Sequence, residues 1–92
     1  MPLWYLETRD SETGLWEPAG VESDEELARA VRDELRYDGF TVRARERGDL
    51  SPAEAVRLDR ADKGRTMDQH ATWRFYHCRA DDRLKRLRRT AA

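Results

Sequence analysis

Between Asp68 and Cys78 the chain places one carboxylate, two imidazoles (His70 and His77) and one thiol. These are the side chains that ligate zinc or that pair as a thiolate–imidazole nucleophile. Their spacing argues against both uses. The stretch ATWRFYHC, residues 71–78, alternates in the manner of a β-strand, with Ala71, Trp73, Phe75 and His77 on one face and Thr72, Arg74, Tyr76 and Cys78 on the other. At about 3.3 Å per residue, His70 and Cys78 then stand roughly 26 Å apart, whereas zinc ligands lie about 2.0–2.3 Å from the metal. Adjacent His77 and Cys78 point to opposite faces. No metal ligand set, no catalytic residue and no cofactor is therefore assigned. The glycines at 14, 20, 39, 48 and 64 are isolated, and no phosphate-binding loop, nucleophile elbow or H-E-x-x-H pattern occurs.

A second chemistry lies in the arginines, which outnumber lysines 16 to 2. The segment GFTVRARER alternates too, with Phe40, Val42 and Ala44 inward and Thr41, Arg43 and Arg45 outward. If this strand neighbours residues 71–78, then Arg43, Arg45, Arg74 and Tyr76 share one outward sheet face. Such a face could clamp phosphates and stack one base. Arg83 and Arg86 on a following helix would extend it. Glu7 and Glu17 compete for the same arginines as cross-strand partners. An isoelectric point near 6.1 is also far from that of a dedicated nucleic-acid binder.

Positioning these groups requires the rest of the chain. LWYLET (3–8) and LWEP (15–18) read as a hairpin joined by RDSETG, with Gly14 free to take a positive φ. Ser23 and Glu26 form a capping box ahead of an apolar stripe at Leu27, Ala28, Val31 and Leu35, and Gly39 suits a helix C-terminus, so residues 24–38 read as helix. Ser51, Pro52 and Glu54 open a second helix over about 52–61. Residues 62–70 read as a loop. DDRLKRLRR reads as a final helix, acidic at its start and basic at its end. The predicted order is ββαβαβα: a small α+β domain spanning 1–92, with a mostly antiparallel sheet of about four strands and two to three helices packed on one face.

Composition bounds the partners. The first 46 residues carry 12 acidic and 6 basic side chains, the second 46 carry 7 and 12, and the formal net charge is −1. The acidic stretch, with Glu12, Asp24, Glu25 and Asp33, suits a basic partner, and the arginine face an acidic one. Trp4, Tyr5 and Trp16 cannot all face one core from an alternating hairpin, so an aromatic interface, including a homodimer, is an expectation. No run approaches a membrane span, and a single cysteine excludes an internal disulfide, which makes the cytoplasm the default location. The absence of Ile and Asn alongside the arginine excess suggests a GC-rich bacterium or its phage.

The leading expectation is thus a non-catalytic binding module that docks on a larger protein or nucleoprotein assembly. Phage inhibitors of host systems, such as anti-CRISPR proteins, are an analogy of size and charge. Direct RNA or DNA binding through Arg43, Arg45, Arg74 and Tyr76 comes second, and an unusual small enzyme third.

Overall fold

The hairpin and the first helix form where the sequence places them, but the second strand runs further and the helix takes a different cap. The computed structural model describes residues 3–91. Strands β1 (Trp4–Arg9) and β2 (Trp16–Glu22) pair antiparallel around a turn in which Gly14 has φ +72°. The strand does not stop at Pro18. It continues to Glu22 through an irregularity opposite Leu6 and Glu7, and because β2 is an edge strand Pro18 deprives no ladder partner. Helix α1 (Glu25–Tyr37) follows. Its cap is Asp24, whose side chain accepts from Glu26 N at 3.0 Å, rather than Ser23. Gly39 takes φ +97°, the left-handed turn that ends the helix.

Strand β3 (Val42–Glu46) pairs antiparallel with β1, giving the order β2–β1–β3. Helix α2 (Pro52–Lys63) starts on Ser51, which accepts from Glu54 N at 3.2 Å, with Pro52 in its first turn.

The predicted fourth strand is a helix. Residues 71–78 lie inside α3 (Met67–Ala91), so the observed order is ββαβαα and the sheet has three strands among the described residues. Thr, Trp, Phe and Tyr favour strands individually, but the buried positions are Trp73, Tyr76, Ala80 and Leu84, a helical spacing of three, four and four. A reciprocal capping box opens this helix. Thr66 Oγ1 accepts from Gln69 N at 3.1 Å while Gln69 Oε1 accepts from Thr66 N at 2.9 Å. Asp81 and Asp82 therefore sit in mid-helix, where Asp81 pairs with Lys85 at 2.9 Å. Thr66→Ala is expected to cost about 1 kcal/mol and to lower protection of the first turn of α3, as read by amide hydrogen exchange.

Helices cover both faces of the sheet, not one. On one side α1 and α3 pack over Leu6 and Val42, with Ala28, Val31, Leu35, Trp73, Tyr76 and Leu84 forming the main core. On the other, α2 lays Ala55 and Leu58 toward Tyr5 and Val21. This second layer resolves the alternation of the hairpin: Trp4 packs on the main core, and Tyr5, 1% exposed, faces α2. Among the described residues, no helix is long and apolar enough to cross a membrane.

Candidate functional site

The arginine face is occupied from within. Glu7 lies on the α2 side of β1, fully buried, and its register neighbour on β3 is Arg43. Arg43 donates to both carboxylate oxygens, Nε to Oε1 at 3.1 Å and Nη2 to Oε2 at 3.3 Å. Arg45 donates from Nε to Glu7 Oε1 at 2.8 Å and from Nη1 to Glu54 Oε2 at 2.8 Å. Trp16 lies under the Arg43 guanidinium, 4.3 Å from ring centroid to Cζ. The adjoining Tyr5 hydroxyl donates to Asp59 and accepts from Arg47 Nη1 at 2.9 Å. That tyrosine bond foremost, with Arg47 beside it, holds the Asp59 carboxyl below the usual aspartate range.

Arg74 and Tyr76 are elsewhere. Both lie on α3, across the sheet from Arg43 and Arg45, so the four-residue patch does not assemble. Tyr76 is buried rather than outward, and its hydroxyl donates to Asp38 Oδ2 at 2.8 Å. Phe75, expected in the core, is 56% exposed instead. The period of two assigned these neighbours to the wrong sides because the backbone turns by 100° per residue there, not 180°.

The acidic face is likewise largely answered by the chain itself. Antiparallel packing of α1 on α3 brings Arg79 to Glu34 at 2.6 Å and Asp38 at 3.1 Å, Arg83 to Asp33 and Glu34 at 3.7 and 3.6 Å, and Arg88 to Glu26 at 2.9 Å. Glu25 pairs with Arg29 at 2.6 Å, and Asp24 is the α1 cap. Glu12 remains exposed in the hairpin turn, and Arg86 and Arg74 are exposed on α3 without an ion-pair partner among the described residues. The opposite charges of the two halves thus meet across the α1–α3 interface.

What the fold leaves open is a groove between β2 and the first half of α3. It encloses about 290 Å³ over a floor of Pro18, Ala19, Leu35, Trp73 and Tyr76, with Phe40 as one wall. Phe40, expected to point inward, stays 45% exposed and meets the Tyr76 ring edge-on at 6.2 Å. Glu17 and Asp68 stand on the rim. Toward the hairpin turn the groove opens into a polar trough of about 560 Å³, the two sharing Thr8, Glu17 and Phe40. Gly20 allows this architecture, because the Trp73 indole lies directly on its Cα. The sequence carried two signals for the groove that a strand reading obscures: the Thr66–Gln69 box and the 73/76/80/84 stripe.

Beside this groove Glu22 is buried with His77 Nδ1 at 2.6 Å from its Oε1. Burial pushes the Glu22 carboxyl above the usual glutamate range; His77 and Arg65 draw it down, and Asp24 adds to the rise. A carboxyl raised in the fold binds its proton more readily folded than unfolded. Its contribution to stability is full below the ordinary value of 4.5 and is lost as pH rises through the raised value. Glu22→Gln is therefore expected to flatten the stability–pH curve above that ordinary value, measured by denaturant titration at several pH values. An unchanged slope would show that Glu22 titrates as a solvated carboxylate.

No cluster of three or more metal-ligating side chains occurs among the described residues. His70 and Cys78 are both exposed on α3, about 12 Å apart along the axis at 1.5 Å per residue. The separation differs from that of a strand, but they still do not meet. Comparison with family models, with curated proteins and with solved structures returns no match.

Proposed function

We propose that this protein is a non-catalytic docking module that binds a larger protein, or the protein component of a nucleoprotein assembly, through the groove between β2 and α3. The observation that carries the reading is the contrast between two surfaces. Arg43, Arg45, Arg79 and Arg83 are spent on Glu7, Glu54 and the α1 carboxylates, while an apolar groove with exposed Phe40 stays open. An exposed concave apolar surface with aromatic walls is what interface anchors use. Inhibition of a host nucleoprotein machine, as by phage anti-CRISPR proteins, is one form such docking takes. A tagged full-length chain incubated in a lysate of the organism that encodes it should retain one specific partner in near-stoichiometric amount. Retention of none counts against docking.

One observation favours a second reading, direct nucleic-acid binding. Lys85, Arg86 and Arg89 gather on the exposed surface near the end of α3, beside Asp82. Binding there would weaken steeply with salt, because each phosphate contact releases counterions. It would be abolished by Arg86→Glu with Arg89→Glu and unaffected by Arg43→Glu, provided that variant stays folded. Absence of RNA and DNA binding at low salt removes this reading.

A further inference from the structure

We infer that the groove between β2 and α3 seats a single bulky apolar side chain of the partner, carried on a segment with basic residues at its flanks. The inference rests on the docking reading and adds to it the chemistry of the bound segment.

Size sets the first limit. At about 290 Å³ the groove is far larger than the ~30 Å³ share of one water and at the bottom of the range of roughly 300–1,000 Å³ that small-molecule sites occupy. One large side chain, or two small ones, fits that space better than a cofactor does. The floor and walls select the kind of side chain. Pro18, Ala19, Leu35, Phe40, Trp73 and Tyr76 present ring faces, ring edges and methyl groups. The Tyr76 hydroxyl is already committed to Asp38, and, apart from the charged rim, the remaining polar side chains of the lining, Thr8, Gln69 and Thr72, are uncharged. An apolar anchor, aromatic or leucine-like, is the complement of such a surface.

Charge sets the second. Glu17 and Asp68 stand on the rim without ion-pair partners among the described residues. The rim cation Arg65 is already paired with Asp62 at 3.0 Å. Asp68 lies in the first turn of α3, where the helix dipole answers part of its charge, so Glu17 carries more of the field. In the adjoining trough Asp10 accepts from Glu12 N and Thr13 N at 2.7 and 2.9 Å, and these bonds hold its carboxyl below the usual range. Arg9 is the countercharge there, with its Nε donating to Gly14 O at 3.1 Å. The surface around the anchor site is therefore negative on balance, which favours lysine or arginine on either side of the anchor and repels an acidic segment.

The test uses the isotopically labelled full chain and two short synthetic peptides, one with phenylalanine between lysine pairs and one with phenylalanine between glutamate pairs. The lysine peptide should shift the amide resonances of Thr8, Glu17, Phe40, Asp68 and Thr72. Glu17→Lys with Asp68→Lys, both at exposed positions, should weaken it about tenfold. The glutamate peptide should bind weakly or not at all. Equal binding of both peptides, or shifts confined to other surfaces, overturns the inference. Thr72→Trp, which fills the groove from an exposed helical position, separates the groove from other surfaces. If the tagged chain retains its lysate partner equally well with and without Thr72→Trp, the groove is not the docking surface: the inference and docking through the groove both fail, and only binding through another surface stands. If the wild-type chain retains no partner, docking itself fails, and the inference with it.

Discussion

Replacing Glu7 with alanine is expected to destabilise the protein by about 3 kcal/mol, the lower end of the cost of breaking a buried ion pair. Glu7 is fully buried and receives three hydrogen bonds from Arg43 and Arg45. Its loss leaves the Arg43 guanidinium without a carboxylate and Arg45 with Glu54 alone. Both arginines keep partial access to solvent, 34% and 23% of their side chains, so some of their charge can be rehydrated. That access places the cost at the lower end of the range. A denaturant midpoint falling without a change in slope would record it. Removing the charges together is expected to restore much of the loss: Glu7→Ala with Arg43→Met and Arg45→Met leaves no buried ion between β1, β3 and α2, and Glu54 and Arg57, which lose their partners, both have access to solvent. A Glu7→Ala variant as stable as the wild type would show that the carboxylate pairs for geometry only.

The second large effect is expected at Gly20. An added Cβ would stand 2.2–2.4 Å from the Trp73 indole carbons, a distance that forces the ring or the strand to move. Overpacking of this kind costs about 1–3 kcal/mol and occasionally more. Trp73 has little room to yield, because Tyr76 and His77 tie the same stretch of α3 to Asp38 and Glu22. Gly20→Ala is therefore expected to cost roughly 3 kcal/mol, a large share of the stability of a small domain. The contact itself is tested by a double-mutant cycle. Trp73→Leu should cost markedly less in the Gly20→Ala background than in the wild type, since it relieves the clash it otherwise does not face. Additive effects would mean that the indole does not rest on Gly20.

Both predictions concern contacts between elements far apart in the chain; the sequence pointed to the first, Glu7 with Arg43 and Arg45, and not to the second, Gly20 against Trp73. Local signals were read well. The capping group at Ser51 with Pro52, the glycines at 14 and 39, the α1 stripe and the alternation of β3 each act over a few residues. Residues 71–78 show the limit. Their composition favours a strand and their alternation permits one, while the stripe that decides the matter extends to Leu84. A window of eight residues contains only Trp73 and Tyr76 of that stripe, too few to tell a period of two from one of 3.6. Once the segment is helical, Tyr76 turns inward, Phe75 turns outward and Arg74 leaves the side of Arg43. The expected nucleic-acid face was lost through that change of period and through the pairing of Arg43 and Arg45 with Glu7.

By itself the sequence determined the hairpin turn, the presence of the first two helices, and Glu7 as a competitor for Arg43 and Arg45. These follow from backbone preferences, capping bonds and cross-strand proximity, all of which act between near neighbours or directly paired strands. The tertiary structure alone decided that α2 covers the second face of the sheet, that the acidic α1 neutralises the basic α3, and that Phe40, Ala19 and Trp73 meet around an open groove. Burial and charge pairing depend on which elements face each other across the core. No run of neighbouring residues encodes that arrangement.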